Sequence, residues 1–238
     1  IHGWAVSGRV WKPILDRWPA GAGKVLAPDL RGTGWSSKPR EGYGIDDYAG
    51  DISRLIDTLG LRDLALVGHS MGGTIAQRVA LQRGAALRRL VLVSPVPASG
   101  VPFDEGQLAF FRSLGGHRAG AEQTLGMMMA RPCDPDLFDR TVECMATVVP
   151  EAFFGGFDAW RSANFADEIG AISTPTVVMG GAVEQPLSPE VLQAAVVALI
   201  PGAQFVAIEG TSHYPQLECA DEFMALLQRA ITGDAAAT

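Results

Sequence analysis

The chain runs to 238 residues, with 19 Lys and Arg against 26 Asp and Glu and a formal charge of −7. That balance argues against nucleic acid or an anionic membrane as the main partner, and 47% hydrophobic with 19% charged residues excludes disorder. No apolar run reaches the roughly 18 residues of a spanning helix, and three cysteines without a Cys-x-x-Cys pair give neither a disulfide framework nor a zinc signature, which makes a reduced, cytoplasmic setting the default.

Ile1-His2-Gly3-Trp4 reads as the end of a strand, and we expect the native protein to carry a segment upstream of it. After that, short apolar runs alternate with longer amphipathic stretches, the βαβ rhythm of a mostly parallel sheet. Val25–Ala27 leads into Pro28-Asp29 and the turn Arg31-Gly32-Thr33-Gly34. Asp46 or Asp47 can cap a helix whose apolar positions Ile52, Leu55, Ile56 and Leu59 keep helical spacing, with Gly60 ending it. Leu64–Val67 is the next strand, followed directly by a helix from Met71 to about Gln82. Arg88-Arg89 reads as a solvated turn before the strand Leu90–Val93, which Pro95 and Pro97 close.

From there to about Phe165 the strand rhythm stops. Leu108 and Phe111, Met127–Met129, Met145, Phe153 and Phe154, and Trp160 mark a helical insertion. The rhythm resumes with a strand at Thr176–Met179, a helix from Pro189 to about Leu199, a strand at Gln204–Ile208 and a last helix at Asp221–Ile231. A small Ala-rich tail occupies Ala235–Thr238. The domain reading is a core over 1–95, an insertion over 96–165 and the rest of the core over 166–238.

The segment that carries chemistry is Gly68-His69-Ser70-Met71-Gly72-Gly73, between a buried strand and a helix. A residue on so sharp a turn takes a strained backbone conformation and pushes its side chain out of the sheet edge. Its neighbours must be small because the chain packs too tightly for a Cβ. The hydroxyl then lies beside a helix N-terminus, whose free N–H groups favour developing negative charge. The turn Gly32-Thr33-Gly34 carries no following Gly-Lys-Ser/Thr and is not a phosphate loop.

From Asp29-Leu30-Arg31-Gly32-Thr33-Gly34-Trp35-Ser36 through Gly68–Gly73 the sequence resembles the α/β-hydrolase superfamily. It is most similar to the esterases, enol-lactonases, cofactor-free haloperoxidases and carbon–carbon-bond hydrolases of that superfamily. The resemblance implies an α/β fold: a mostly parallel open sheet with helices on both faces and a helical cap insertion. It makes Gly32–Gly34 a structural turn with Asp29 and Arg31 in a local polar network, and the methionines at 127–129 part of the cap core.

Serine needs a general base at neutral pH. His2 resembles the structural His-Gly of the family's oxyanion loop. His69 adjoins the nucleophile and should point elsewhere, and His117 reads as a surface residue. His213, in the loop after Gln204–Ile208, sits where the base belongs. For the orienting acid the family pattern is Gly-x-x-Asp, whereas this chain has Gly181-Ala182-Val183-Glu184, so Glu184 stands where Asp is expected. If Glu184 is only solvated, the acid comes from elsewhere. Asp104 and Glu105 are the nearest carboxylates to the known alternative placement, and Glu209 is near His213 in sequence. The oxyanion would be held by the N–H of Met71 and, by resemblance, that of Trp4, whose indole could also line an acyl pocket.

The resulting expectation is a serine hydrolase without cofactor or metal, with Ser70, His213 and Glu184 as its triad. Its substrate would be a small or medium apolar ester or lactone, and the protein a monomer or homodimer. The same residues would serve a carbon–carbon-bond hydrolase or a perhydrolase. A non-catalytic ligand-binding protein is the reading from another class.

Overall fold

In the computed structural model, which describes residues 1–233, four parallel strands form one sheet among the described residues. They are β1 (Leu64–His69), β2 (Leu87–Val93), β3 (Thr176–Gly181) and β4 (Gln204–Ile208), hydrogen-bonded in the order β1-β2-β3-β4. The Ala-rich tail lies outside the described residues.

The composition of each strand follows its place. Leu90, Val91, Leu92 and Val93 of β2 and all of β3 are buried, as strands covered on both faces must be, and so they read as continuous apolar runs. In register, His69 lies beside Val93 and Val93 beside Met179, which brings the C-terminal ends of β1, β2 and β3 to one sheet edge. Crevices outside these ends are where open α/β sheets gather ligands.

Helices pack on both faces. Those of the first part are α1 (Lys12–Asp16), α2 (Ile45–Thr58) and α3 (Met71–Arg83). α2 turns Ile45, Ala49, Ile52 and Ile56 inward at helical spacing. Its cap is Gly44, not Asp46 or Asp47; Asp47 instead accepts the Gly44 N–H at 3.0 Å from the third helical position. α3 lies against β1 and β2 and is buried along most of its length.

Between β2 and β3 the described chain is helical: α4 (Glu105–Ser113), α5 (Arg118–Met127), α6 (Pro135–Ala146) and α7 (Pro150–Arg161). Pro135 and Pro150 open their helices, where a missing N–H costs nothing. Asp104 and Gln107 cap α4 reciprocally, side chain to backbone, at 2.8 and 3.0 Å. His117 caps α5 by accepting the Gly120 N–H at 2.9 Å. The base of the insertion closes where Phe165 N–H donates to Ala98 O and Val101 N–H to Arg161 O, both at 3.0 Å. α8 (Pro189–Ala195), α9 (Pro215–Glu218) and α10 (Ala220–Thr232) complete the fold, with Phe223, Met224, Leu227 and Ala230 of α10 turned inward.

Three further expectations are revised. Arg88 and Arg89 belong to β2 rather than to a turn before it. Met127 is half exposed, while Met128 lines an internal cavity. Val25–Ala27 stays outside the sheet, with Leu26 exposed. It faces β1 across an apolar groove of about 640 Å³ that Trp11, Ile14, Trp18 and Leu64 also line. A strand needs a neighbour about 4.8 Å away, and among the described residues Val25–Ala27 pairs with none. Ile1 enters one end of the groove, donating to Val67 O and accepting from His69 N–H at 3.1 Å.

Candidate active site

Ser70 sits between β1 and α3 with φ +56° and ψ −123°, a left-handed conformation that non-glycine residues adopt only at a cost. The end of β2 secures it: Ser70 N–H donates to Val93 O at 2.9 Å, and Val96 N–H to Ser70 O at 3.2 Å. A Cβ on Gly72 would run into the carbonyl oxygen of His2, so the elbow tolerates no side chain there. His2 in turn is locked. Its Nε2 accepts the Leu30 N–H at 2.9 Å, so its Nδ1 donates to Gly3 O at 2.8 Å. Burial lowers its pKa to about 4. His2 is thus a neutral strut, as its position implied.

His213 and Glu184 meet through a close approach of two loops. A Cβ on Gly181 would strike the carbonyl oxygens of Thr211 and Ser212, so the end of β3 presses directly on the His213 loop. Val183 N–H donates to Thr211 O at 3.2 Å across the same seam. Glu184 then reaches His213, whose Nδ1 donates to Oε1 at 2.5 Å, with the residues 1% and 7% exposed. The other carboxylate oxygen accepts from Ser94 Oγ at 2.6 Å. In so dry a setting a charge-assisted bond is screened little.

The tautomer follows. With Nδ1–H on the carboxylate, neutral His213 presents a lone pair on Nε2. Ser70, Glu184 and His213 line one cavity, although no hydrogen bond joins Ser70 Oγ to His213 Nε2. His69 is turned away, donating from Nε2 to His213 O at 2.7 Å, and burial pushes its pKa well down.

The other carboxylates weighed from sequence are elsewhere. Asp104 is the exposed N-cap of α4, Glu105 is exposed in its first turn, and Glu209 is exposed. Asp29 and Arg31 serve separate networks. Asp29 holds Gly8 N–H and Trp35 N–H at 2.8 Å each, while Arg31 pairs with Asp51 of α2 at 2.5 Å.

A feature absent from the sequence reading is Glu218. Its carboxylate accepts the N–H groups of Ser212 and Tyr214, both at 3.1 Å, and those of Ala130 and Arg131, at 2.8 and 3.0 Å. His213 N–H also donates to Met128 O at 3.0 Å. The histidine loop is therefore clamped from both flanks and tied to the helical insertion. Nothing in the order of residues announces a carboxylate bonded 88 positions away.

The cavity over Ser70 measures about 70 Å³ and is mostly apolar, with Trp4, Val101, Phe103, Phe111 and Trp160 among its walls. Trp4 joins the insertion by donating from Nε1 to Phe153 O at 2.7 Å. Its ring centroid lies 6.0 Å from that of Trp160, while Phe103 stacks on Phe157 at 5.8 Å. The main-chain N–H groups of Trp4 and Met71 donate to no protein acceptor among the described residues. Nor do those residues gather three His, Cys, Asp or Glu side chains that could hold a metal ion.

Residues 1–226 match the model of the alpha/beta hydrolase family. The chain belongs to that family. Among its relatives is a non-heme chloroperoxidase of Kitasatospora aureofaciens, 29% identical over 229 residues, covering 90% of this chain and 83% of the relative. Among solved structures, a bromoperoxidase from Bacillus anthracis superposes with a TM-score of 0.90 at 23% identity, over 97% of this chain and 90% of that one. An esterase from Exiguobacterium antarcticum gives 0.89 at 20% identity, over 98% and 90%. At those identities the two structures speak for the fold. Among the described residues of this hydrolase-family chain, no helix is long and apolar enough to cross a membrane.

Proposed function

We propose that the protein is a serine hydrolase that cleaves a short, uncharged carboxylic ester or lactone through an acyl-enzyme. The observation that carries the reading is the buried Glu184–His213 bond beside Ser70, on the wall of one cavity. His213 Nε2 takes the Ser70 hydroxyl proton as Oγ bonds to the substrate carbonyl carbon. Glu184 holds the ring and stabilises the imidazolium that forms. The free N–H groups of Trp4 and Met71 receive the oxyanion at the N-terminus of α3. Collapse breaks the bond to the alkoxy group, which leaves with the proton from His213. A water, deprotonated by His213, then attacks the acyl carbon, and Ser70 recovers its proton as the acid departs.

The helical insertion acts in this reading as a cap, and cavity size supports the substrate class. A cavity of 70 Å³ is well below the roughly 150 Å³ that accommodates benzene, so the acyl group is short. Apolar walls offer no partner for a charge. Three free cysteines suit a reducing cytoplasm.

The test is intact mass after incubation with a small fluorophosphonate, on wild type and Ser70→Ala together. A single adduct on wild type, absent from the variant, is expected. No adduct on folded protein would overturn the reading in favour of a ligand-binding protein. The relative named as a chloroperoxidase motivates a second reading, in which hydrogen peroxide replaces water and the acyl-enzyme releases a peracid. Peracid formation from acetate ester and peroxide, faster than hydrolysis, would favour it.

A further inference from the structure

We propose that Ser94 is a positioning residue for the acid: its hydroxyl fixes the carboxylate of Glu184 and so allows a glutamate to serve where the family pattern has an aspartate. The inference rests on the reading of Ser70, His213 and Glu184 given above.

Ser94 follows β2 directly, between the strand that leads to Ser70 and the strand that leads to Glu184. It is fully buried, and its backbone is held by a 2.7 Å bond from its N–H to Met179 O. Its φ is +42°, in the left-handed region that an L side chain adopts at a steric cost and a glycine would take freely. A serine kept there has to return something for that cost. Its Oγ donates to Glu184 Oε2 at 2.6 Å, and no other donor reaches that oxygen among the described residues.

The need for such a bond follows from side-chain length. Glutamate has one more torsion than aspartate, and its terminal torsion is broad and nearly two-fold rather than confined to staggered wells. With Oε1 alone engaged, the carboxylate plane could swing about that torsion and leave a buried oxygen without a donor. The Ser94 hydroxyl closes both freedoms. The plane is then set by two donors, His213 Nδ1 on Oε1 and Ser94 Oγ on Oε2. Ser94 touches neither substrate nor the reacting atoms and acts through Glu184.

A double-mutant cycle tests this, read by the second-order rate of Ser70 labelling with a fluorophosphonate and by kcat and KM on p-nitrophenyl acetate. In the wild-type background, Ser94→Ala should lower the labelling rate and kcat on the order of 10- to 100-fold, the range for a hydrogen bond to a charged group, with KM nearly unchanged. In a Glu184→Ala background the same substitution should change either rate less than about two-fold, because interacting residues are non-additive. Ser94→Gly is the second variant, since it removes the hydroxyl and relieves the positive φ, and should behave alike. An equal loss in both backgrounds would mean that Ser94 only supports the backbone, and no loss in either would mean that the hydroxyl is idle. Each of those results overturns the proposal. If wild type itself is not labelled, the serine-hydrolase reading fails first and takes this inference with it, whereas labelled wild type with additive variants refutes Ser94 alone.

Discussion

Replacing Glu184 by aspartate would restore the residue that the family pattern expects, yet the geometry calls for a loss. Removing one methylene withdraws the carboxylate by about 1.5 Å. The 2.5 Å contact to His213 Nδ1 then opens to about 4 Å, beyond hydrogen-bond range. At an effective dielectric of about 20, unit charges interact by roughly 7 kcal/mol at 2.5 Å and roughly 4 kcal/mol at 4 Å. The imidazolium of the transition state therefore loses about 2–3 kcal/mol, on the order of 10²-fold in kcat. Glu184→Gln keeps the reach and loses the charge. Because the Ser94 hydroxyl can also accept, the new amide can donate to it and leave its oxygen on Nδ1. The tautomer survives, so the cost falls between the roughly 10²-fold of the aspartate and the roughly 10⁴-fold of a triad held in the wrong tautomer. Steady-state rates on p-nitrophenyl acetate, with labelling rates as a substrate-independent check, give the order wild type, Asp, Gln. An aspartate variant as fast as wild type would refute the reasoning, since the carboxylate could not then depend on its full length.

Phe103→Ala removes a half-buried ring from the cavity wall. Four more methylenes buried at about 0.8 kcal/mol each bound the gain at roughly 3 kcal/mol, and we expect octanoate to rise on the order of 10-fold against butyrate in kcat/KM; an unchanged chain-length profile would remove Phe103 from the acyl site. The His2 pKa of about 4 lies below its unfolded value near 6.5. Between those pH values the unfolded chain binds a proton that the native state refuses, so stability falls from pH 6.5 to 4, by about 3 kcal/mol from this group, and its contribution is flat below. His69 acts in the same direction. Urea midpoints across that range should decline and decline less in His2→Asn, and parallel curves would contradict the assignment. Gly72→Ala drives a Cβ into His2 O and should cost about 3 kcal/mol, read as a lowered thermal midpoint; a neutral substitution would mean that the elbow is looser than it looks.

What the sequence made legible depends on how local the cause is. The turn around Ser70 could be read because a strand, a hydroxyl and obligatory small residues fall within six positions, and the alternation of apolar runs located each strand to within a few residues. Glu184 and His213 could be placed because each lies in the loop after a strand, where the family pattern has its acid and base, although their meeting depends on the approach of Gly181 to the Thr211 and Ser212 carbonyls. Ser94 and Glu218 were not legible. Their partners lie 90 and 88 positions away, and no period or motif relates such residues. Val25–Ala27 failed for a different reason, since its apolar composition suits a strand while strand formation needs a neighbour to pair with. Gly44 was passed over as a cap because Asp47 bonds back to it from inside the helix.

The clamp made by Glu218 turns the corner of the insertion near Met128 and the loop of His213 into a single moving part. Lifting Ala130 and Arg131 to admit a bulky substrate would pull on Ser212 and Tyr214, the two residues that flank the base. The far side, with α4 and Phe103, makes no hydrogen bond to the histidine loop among the described residues. A substrate that forces the tethered corner would bind and yet turn over slowly, because the room it gains is taken from the alignment of His213. On the proposed reading, size selection would be felt in kcat, as a linkage between the helical segment and the base.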